Sequence, residues 1–286
     1  MRKATGMEET RTIIIEPKTG WFDIDFHEIK QYKDLIFLFV KRNFVVQYKQ
    51  TVLGPLWFIL NPLLTTIMFT VVFGSIAGMS TDGVPQFAFY LCGTALWQYF
   101  ATCLNQTSNT FTGNAHIFGK VYFPRITMPI ATVIFSLINF AVVFVMSIIT
   151  NLYYMWKGEN IQPNWSILLL PILVLQIALL GLGFGIIISS LTTKYRDLAI
   201  LVSFGVQLWM YATPVAYAKE QLSEKMRSII MLNPVSPIIC NFRYALLGCG
   251  TFETVYWGIS AIVTVVVLII GILLFNHVEK TFMDTV

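Results

Sequence analysis

The 286-residue chain is 56% hydrophobic and only 12% charged, with 19 Lys and Arg against 15 Asp and Glu and a net charge of +4. A mean hydropathy of +0.69 excludes an ordinary water-soluble domain of this length, so lipid is the solvent for most of the chain. Nothing in the charge balance points to a nucleic-acid partner.

Residues 1–27 are polar and mixed, with a β-prone patch at Ile13–Ile15 and a turn signal from Pro17 to Gly20, and read as a cytoplasmic N-terminal tail. No secretory signal is evident, because the first apolar run begins at Leu35 behind a charged stretch. Residues 28–50 carry a helical stripe of Ile29, Tyr32, Ile36 and Val40, with Lys30, Lys33, Lys41, Arg42 and Lys49 placed to meet headgroups. The apolar run Leu35–Val40 is too short to cross, so this segment is expected to be an amphipathic helix lying on the membrane, or an ordinary juxtamembrane linker. Gly54 and Pro55 then turn the chain into a membrane domain, residues 51–286.

A span needs ~20 apolar residues to cross a hydrocarbon core of ~30 Å. Six charge-free intervals satisfy this, predicting an all-α integral membrane protein with spans at 56–77, 86–106, 127–154, 166–190, 198–217 and 254–275. Two shorter apolar segments, 228–242 and 244–252, are broken by Pro234, Pro237, Arg243 and Gly248 and suit re-entrant or interfacial helices between the fifth and sixth spans. With both termini inside, 14 of the 19 Lys and Arg are cytoplasmic, an excess that rests on the N-terminal segment.

Chemistry is thin. Cys92, Cys103, Cys240 and Cys249 have no metal-ligand spacing, and His27, His116 and His277 are scattered, so no metal site is expected. Gly181, Gly183 and Gly185 lie inside a charge-free span with no acidic partner after them and fit close helix packing, not a dinucleotide site. Isolated carboxylates such as Asp82, Glu159 and Glu253 offer no catalytic pair, and the spans hold no ionisable group for coupling to an ion gradient. The nearest approach to a phosphate-binding loop, GNAHIFGKV at Gly113–Val121, has the wrong spacing and Val121 where a Ser or Thr should hold Mg²⁺. Energy for uphill movement would therefore come from a separate ATPase subunit, with ATP and Mg²⁺ bound there.

Three cytoplasmic features could grip that subunit: the amphipathic helix, the loop from Thr112 to Arg125, and the short loop at Lys194–Asp197. Basic residues at span ends can also serve orientation alone. The segments QYKQTVLGPLWFILNPL (Gln47–Leu63), FGKVYFPR (Phe118–Arg125), KYRD (Lys194–Asp197), YATPVAY (Tyr211–Tyr217) and NPVSPIICNFRYALLG (Asn233–Gly248) resemble the membrane subunit of bacterial ABC exporters for cell-surface polysaccharides, of the O-antigen, capsule or teichoic-acid type. The resemblance runs from about residue 28 to the C-terminus.

It implies an interface helix before six spans, two re-entrant helices on the outer side, and a homodimer in the cytoplasmic (inner) membrane with two ATPase subunits. A coupling region is implied at Phe118, Gly119, Lys120, Tyr122, Phe123, Pro124 and Arg125, joined by Tyr195, Arg196 and Asp197, and an interface helix carrying Lys41, Arg42, Tyr48 and Lys49. A polyprenyl-linked glycan would pass through a channel at the dimer interface. Aromatic faces stack on sugar C–H groups without gripping any residue tightly, so Trp57, Phe58, Trp97, Tyr99, Trp209, Tyr211 and Tyr217 are candidate channel residues; the same residue types also populate interfacial belts. A drug or small-lipid exporter of the same class, an enzyme of lipid-linked sugar metabolism and a receptor or scaffold are the alternatives.

Overall fold

The computed structural model describes residues 30–49, 51, 53–118, 120, 123–195 and 197–285, without the side chains of Tyr48, Pro55 and residues 280–285. The predicted N-terminal tail, together with Gly119, Tyr122 and Arg196, lies outside the described residues, as does the Tyr48 side chain. All regular structure among the described residues is helical. Helix α1 (Lys33–Tyr48) precedes α2 (Trp57–Phe69), α3 (Gln86–Ser108), α4 (Thr110–Phe118) and α5 (Thr127–Trp156). Helices α6 (Leu170–Thr192), α7 (Leu198–Tyr211), α8 (Glu224–Leu232), α9 (Val235–Leu247) and α10 (Thr254–Thr285) follow.

Four helical segments are long and apolar enough to cross a membrane: Trp57–Ile76, Thr127–Trp156, Trp165–Thr192 and Thr254–Glu279. Helix α3 has the length, at 23 residues, but carries Thr, Gln and Asn along it. Its neighbours enclose it, leaving Tyr90, Leu91, Leu96 and Phe100 fully buried, so it need not be as apolar as a lipid-facing helix. Helix α7 is only 14 residues long, shorter than the predicted 198–217 span. Its chain turns at Ala212–Thr213, and Pro214 has no amide hydrogen with which to prolong the helix.

In α2, Pro62 likewise withdraws a donor from the helix ladder. Thr66 and Thr70 hydroxyls donate back to the Pro62 and Thr66 carbonyls at 2.7 and 2.8 Å, and the helix relaxes into a wide π turn at Thr70–Ile76.

The centre of the bundle is the pairing of α3, α6 and α10, made close by glycine. A Cβ on Gly185 would stand 2.5 Å from the Thr107 Cβ of α3, and one on Gly181 3.2 Å from the Phe100 carbonyl. On the opposite face of α6, a Cβ on Gly183 would lie 2.9 Å from Val267 of α10. The three glycines thus let α6 approach two helices at backbone distance, as small-residue spacing in a span does.

Helices α8 and α9 meet at 102° across Asn233–Pro234. The break falls at that proline and not at the expected interruption, Arg243, which lies within α9 and is buried. Nor do residues 248–253 form a second apolar helix. The chain stops at Gly248, whose φ of +73° ends α9 in the left-handed conformation. A side chain there would also collide with the Gln162 carbonyl, 2.3 Å from its Cβ.

Candidate functional site

One end of the bundle gathers α1, α4, the start of α5 and the last turns of α10. Phe39 of α1 meets Phe123 with ring centroids 5.5 Å apart, and Phe123 meets Phe118 at 5.7 Å. Phe111 stacks on Phe275 of α10 at 4.5 Å. The aromatic cluster joins four elements that are distant in sequence and fixes how α1 and α4 sit against the spans.

Polar ties reinforce it. The Arg125 guanidinium donates to the Glu279 carbonyl oxygen at 2.9 Å, its backbone N–H to Glu279 Oε1 at 3.3 Å, and its charge lies 5.3 Å over the Phe118 ring. Arg42 donates to Asn114 Oδ1 at 3.3 Å, linking α1 to α4.

The predicted coupling residues therefore divide. Phe118 and Phe123 are buried and Arg125 is turned onto α10, so these three hold the chain together, whereas Lys120, Tyr195 and Asp197 are exposed, as are Thr112, Gly113 and His116. Pro124 is half-buried; Lys41 and Lys49 are exposed and Arg42 half-buried. Helix α1 docks through Phe39 and Val40 and leaves Phe37 (74% exposed) and Val46 (71%) facing outward.

The seven aromatics also fall into groups. Trp57, Phe58 and Tyr99 border a cavity of about 220 Å³ between α2, α3 and α5. Trp97 and Trp209 face each other at 6.5 Å inside the core, where Trp209 is also edge-on to Phe100 and Phe184 at 5.3 Å. Its indole N–H donates to Asn233 Oδ1 at 3.0 Å, so this pair supports the α8–α9 bend. Tyr211 is 60% exposed, and its carbonyl accepts from the Tyr217 hydroxyl at 3.2 Å.

Sequence reasoning missed the polar cluster at the opposite end. Arg243 donates to three backbone carbonyls, Phe89 O at 3.2 Å and Pro214 O and Val215 O at 2.5 Å, and lies 3.7 Å over the Phe89 ring. Lys219, almost fully buried, donates to Glu253 Oε1 at 2.5 Å and to Thr251 O at 2.8 Å, and Arg227 reaches the same carboxylate at 2.9 Å. Burial pushes the Glu253 carboxyl up, but the hydrogen bonds from Lys219 and Arg227 and their charges outweigh it and hold it below its ordinary value.

Asp82, in the loop before α3, behaves oppositely. Burial, then a hydrogen bond with Glu220 and the charge of that carboxylate, raise it to about 6 against the pull of Arg243 and Lys219. No spacing in the sequence announces these contacts, since the partners are separated by 26 to 154 residues. Among the described residues no group of three His, Cys, Asp or Glu side chains could hold a metal ion, and all four cysteines are free and buried.

The profile of the ABC-2 type transporter family matches residues 34–247. The chain is 29% identical over 252 residues to the O-antigen export system permease protein RfbA of Klebsiella pneumoniae, covering 88% of this chain and 94% of the relative. It is 27% identical to the protein of the same name from Myxococcus xanthus, over 76% of this chain and 81% of that one. Similarity extends, at 20% identity over 82% of this chain and 89% of the other, to the polysialic acid transport protein KpsM of Escherichia coli.

Proposed function

The chain belongs to the ABC-2 type transporter family, and from that premise we propose that it is the permease subunit of an ATP-driven exporter moving a lipid-linked cell-surface polysaccharide outward across the bacterial cytoplasmic membrane. The observation that carries the reading is near full-length similarity to export permeases whose names specify two different glycans, O-antigen and polysialic acid. A drug or small-lipid exporter finds no support in those relatives.

The working unit is a homodimer with two ATPase subunits that bind ATP and Mg²⁺. Six spans cross the membrane: the four long apolar helices, the enclosed α3 and the short α7. Helices α8 and α9 are re-entrant from the outer side, and both termini are cytoplasmic. The ATPase grips the exposed surface of α4, His116 included, and Lys120 just after it, with Tyr195 and Asp197 from the loop between α6 and α7. Rocking of α4 reaches α10 through Phe111–Phe275 and Arg125–Glu279, and α1 through Phe39–Phe123 and Arg42–Asn114. The exposed Tyr211 and Trp57, on helices that present most of their surface outward, line the glycan path where two copies meet.

Deleting the gene in its host tests the reading. Lipid-linked glycan is expected to become detectable only after permeabilising the cells, with surface display restored by the wild-type gene. Normal surface glycan in the deletion strain would overturn it.

A further inference from the structure

The cavity bordered by Trp57, Phe58 and Tyr99 lies toward the α1/α4 end of the bundle and has an unusual lining. The amide residues Gln47, Asn61, Gln98, Gln106 and Asn139 line it, and no charged residue among the described ones does. None of the five amides makes a side-chain hydrogen bond with another described residue, and the Asn139 Oδ1 is buried without any partner. Gln47, Asn61 and Gln106 are exposed and Gln98 and Asn139 half-buried, so the space opens outward; the Asn139 Oδ1, withdrawn from water without a partner, is costly unless a ligand or water donates to it. Gln176, by contrast, has both ends of its amide engaged, donating to Ser260 Oγ at 2.9 Å and accepting from the Trp257 indole at 2.6 Å.

We infer that this cavity is a binding site for one uncharged, polyhydroxylated ring, entered before the ring moves into the path between the two copies. Each amide offers both donors and an acceptor, which matches hydroxyl groups that both donate and accept. The faces of Trp57, Phe58 and Tyr99 supply the apolar wall against which sugar C–H groups stack. The volume suits a single ring: about 220 Å³ is room for roughly seven waters at ~30 Å³ each, far less than a chain would fill. Charge decides the class. A phosphate or diphosphate would need cations, and none of the described residues lining the space is one.

The ring's source rests on the proposed function, under which it is a residue of the exported glycan; a glycolipid headgroup presents the same chemistry. The full-length protein in phosphatidylglycerol nanodiscs is tested by saturation-transfer NMR with neutral oligosaccharides released by mild acid from the host's surface glycan. Parallel arms use octyl glucoside-free nanodiscs carrying monoglucosyldiacylglycerol, and sodium pyrophosphate. Saturation transfer to the oligosaccharide or to the glucolipid headgroup is expected, whichever is the source, and is expected to fall about tenfold in an Asn139→Leu, Gln98→Leu double variant. Trp57→Leu, at a position 41% exposed and so tolerant of change, is expected to weaken it as well, which guards against a folding defect in the double variant.

Equal signals in wild type and both variants, a response to pyrophosphate alone, or no response to either hydroxylated probe, which would leave a water-filled cavity, would each overturn the site. Binding does not depend on export. Normal surface glycan after gene deletion with binding intact would refute the transport reading alone, and export without binding would refute the site alone.

Discussion

Adding one methyl group at Gly93 is expected to unseat Arg243. A Cβ there would lie 2.0 Å from Nη2, 2.8 Å from Cζ and 3.2 Å from Nε, so the guanidinium has to leave its present place. It now satisfies the carbonyls of Phe89, Pro214 and Val215, and a hydrogen bond from a charged group contributes ~1.5–3 kcal/mol. A displaced guanidinium that keeps one or two of the three contacts leaves a loss of about 3 kcal/mol, which in a chain of 286 residues lowers the melting temperature by about 5 °C.

Gly258→Ala is the control. A Cβ at Gly258 meets nothing within 4 Å, and replacing an unstrained helical glycine is neutral or stabilising by ~0.5–1 kcal/mol. Thermal unfolding of the detergent-purified protein, followed by intrinsic fluorescence and by monodisperse elution, reads both variants. A Gly93→Ala protein that melts with or above Gly258→Ala would refute the view that Arg243 is held by this fit.

Gly185→Ala is expected to push α6 from α3, with an overpacking cost of ~1–3 kcal/mol visible in the same melt. Glu253→Gln leaves the buried Lys219 charge with Glu220, 3.7 Å away, as its remaining carboxylate partner and is expected to cost ~3 kcal/mol, the low end for a broken buried pair, whereas a Lys219→Met, Glu253→Met double variant that removes both charges recovers much of the loss. Because the Glu253 carboxyl is held below its ordinary value of 4.5, its stabilisation is present above that pH and lost as the pH falls through the lower folded value. Asp82 has the reverse sign: its contribution is complete below its ordinary 3.8 and is lost as the pH rises through about 6. Asp82→Asn is therefore expected to flatten the melting temperature between pH 4 and 6, and an unchanged profile would contradict the assignment. Lys120→Ala is expected to leave the melt unchanged while lowering glycan export, since Lys120 is exposed; Arg125→Ala, which loses its contacts to Glu279, is expected to lower both.

Charge-free intervals located the long helices because charge is what lipid excludes most strongly. The same device misplaced the breaks, since it treats every Arg as a boundary. Arg243 is tolerated inside α9 because three carbonyls and an aromatic face receive it, and carbonyl positions are not readable from residue types. The predicted fifth span ran on to Tyr217 because the next charge is Lys219, although Pro214 already ruled out a continuous helix. In the segment 112–125 the composition suggested an exposed aromatic and basic surface. It could not say which aromatics turn inward, and Phe118 and Phe123 are held by partners on α1 and near α4 that lie far off or out of period in the sequence. The amide-lined cavity was illegible for the same reason: Gln47, Asn61, Gln98 and Asn139 come from four helices and share no motif.

Transport itself is tested most directly by reconstitution. The chain and the ATPase subunit of its host are placed together in proteoliposomes whose outer leaflet carries the host's lipid-linked glycan, with the ATPase face outside. With ATP and Mg²⁺, the glycan is expected to become protected from an added glycosidase, and to remain accessible when the ATPase is omitted or ATP is replaced by ADP. Glycan that stays accessible while ATP is hydrolysed at the full rate, or that becomes protected without the ATPase, would contradict an ATP-driven polysaccharide permease.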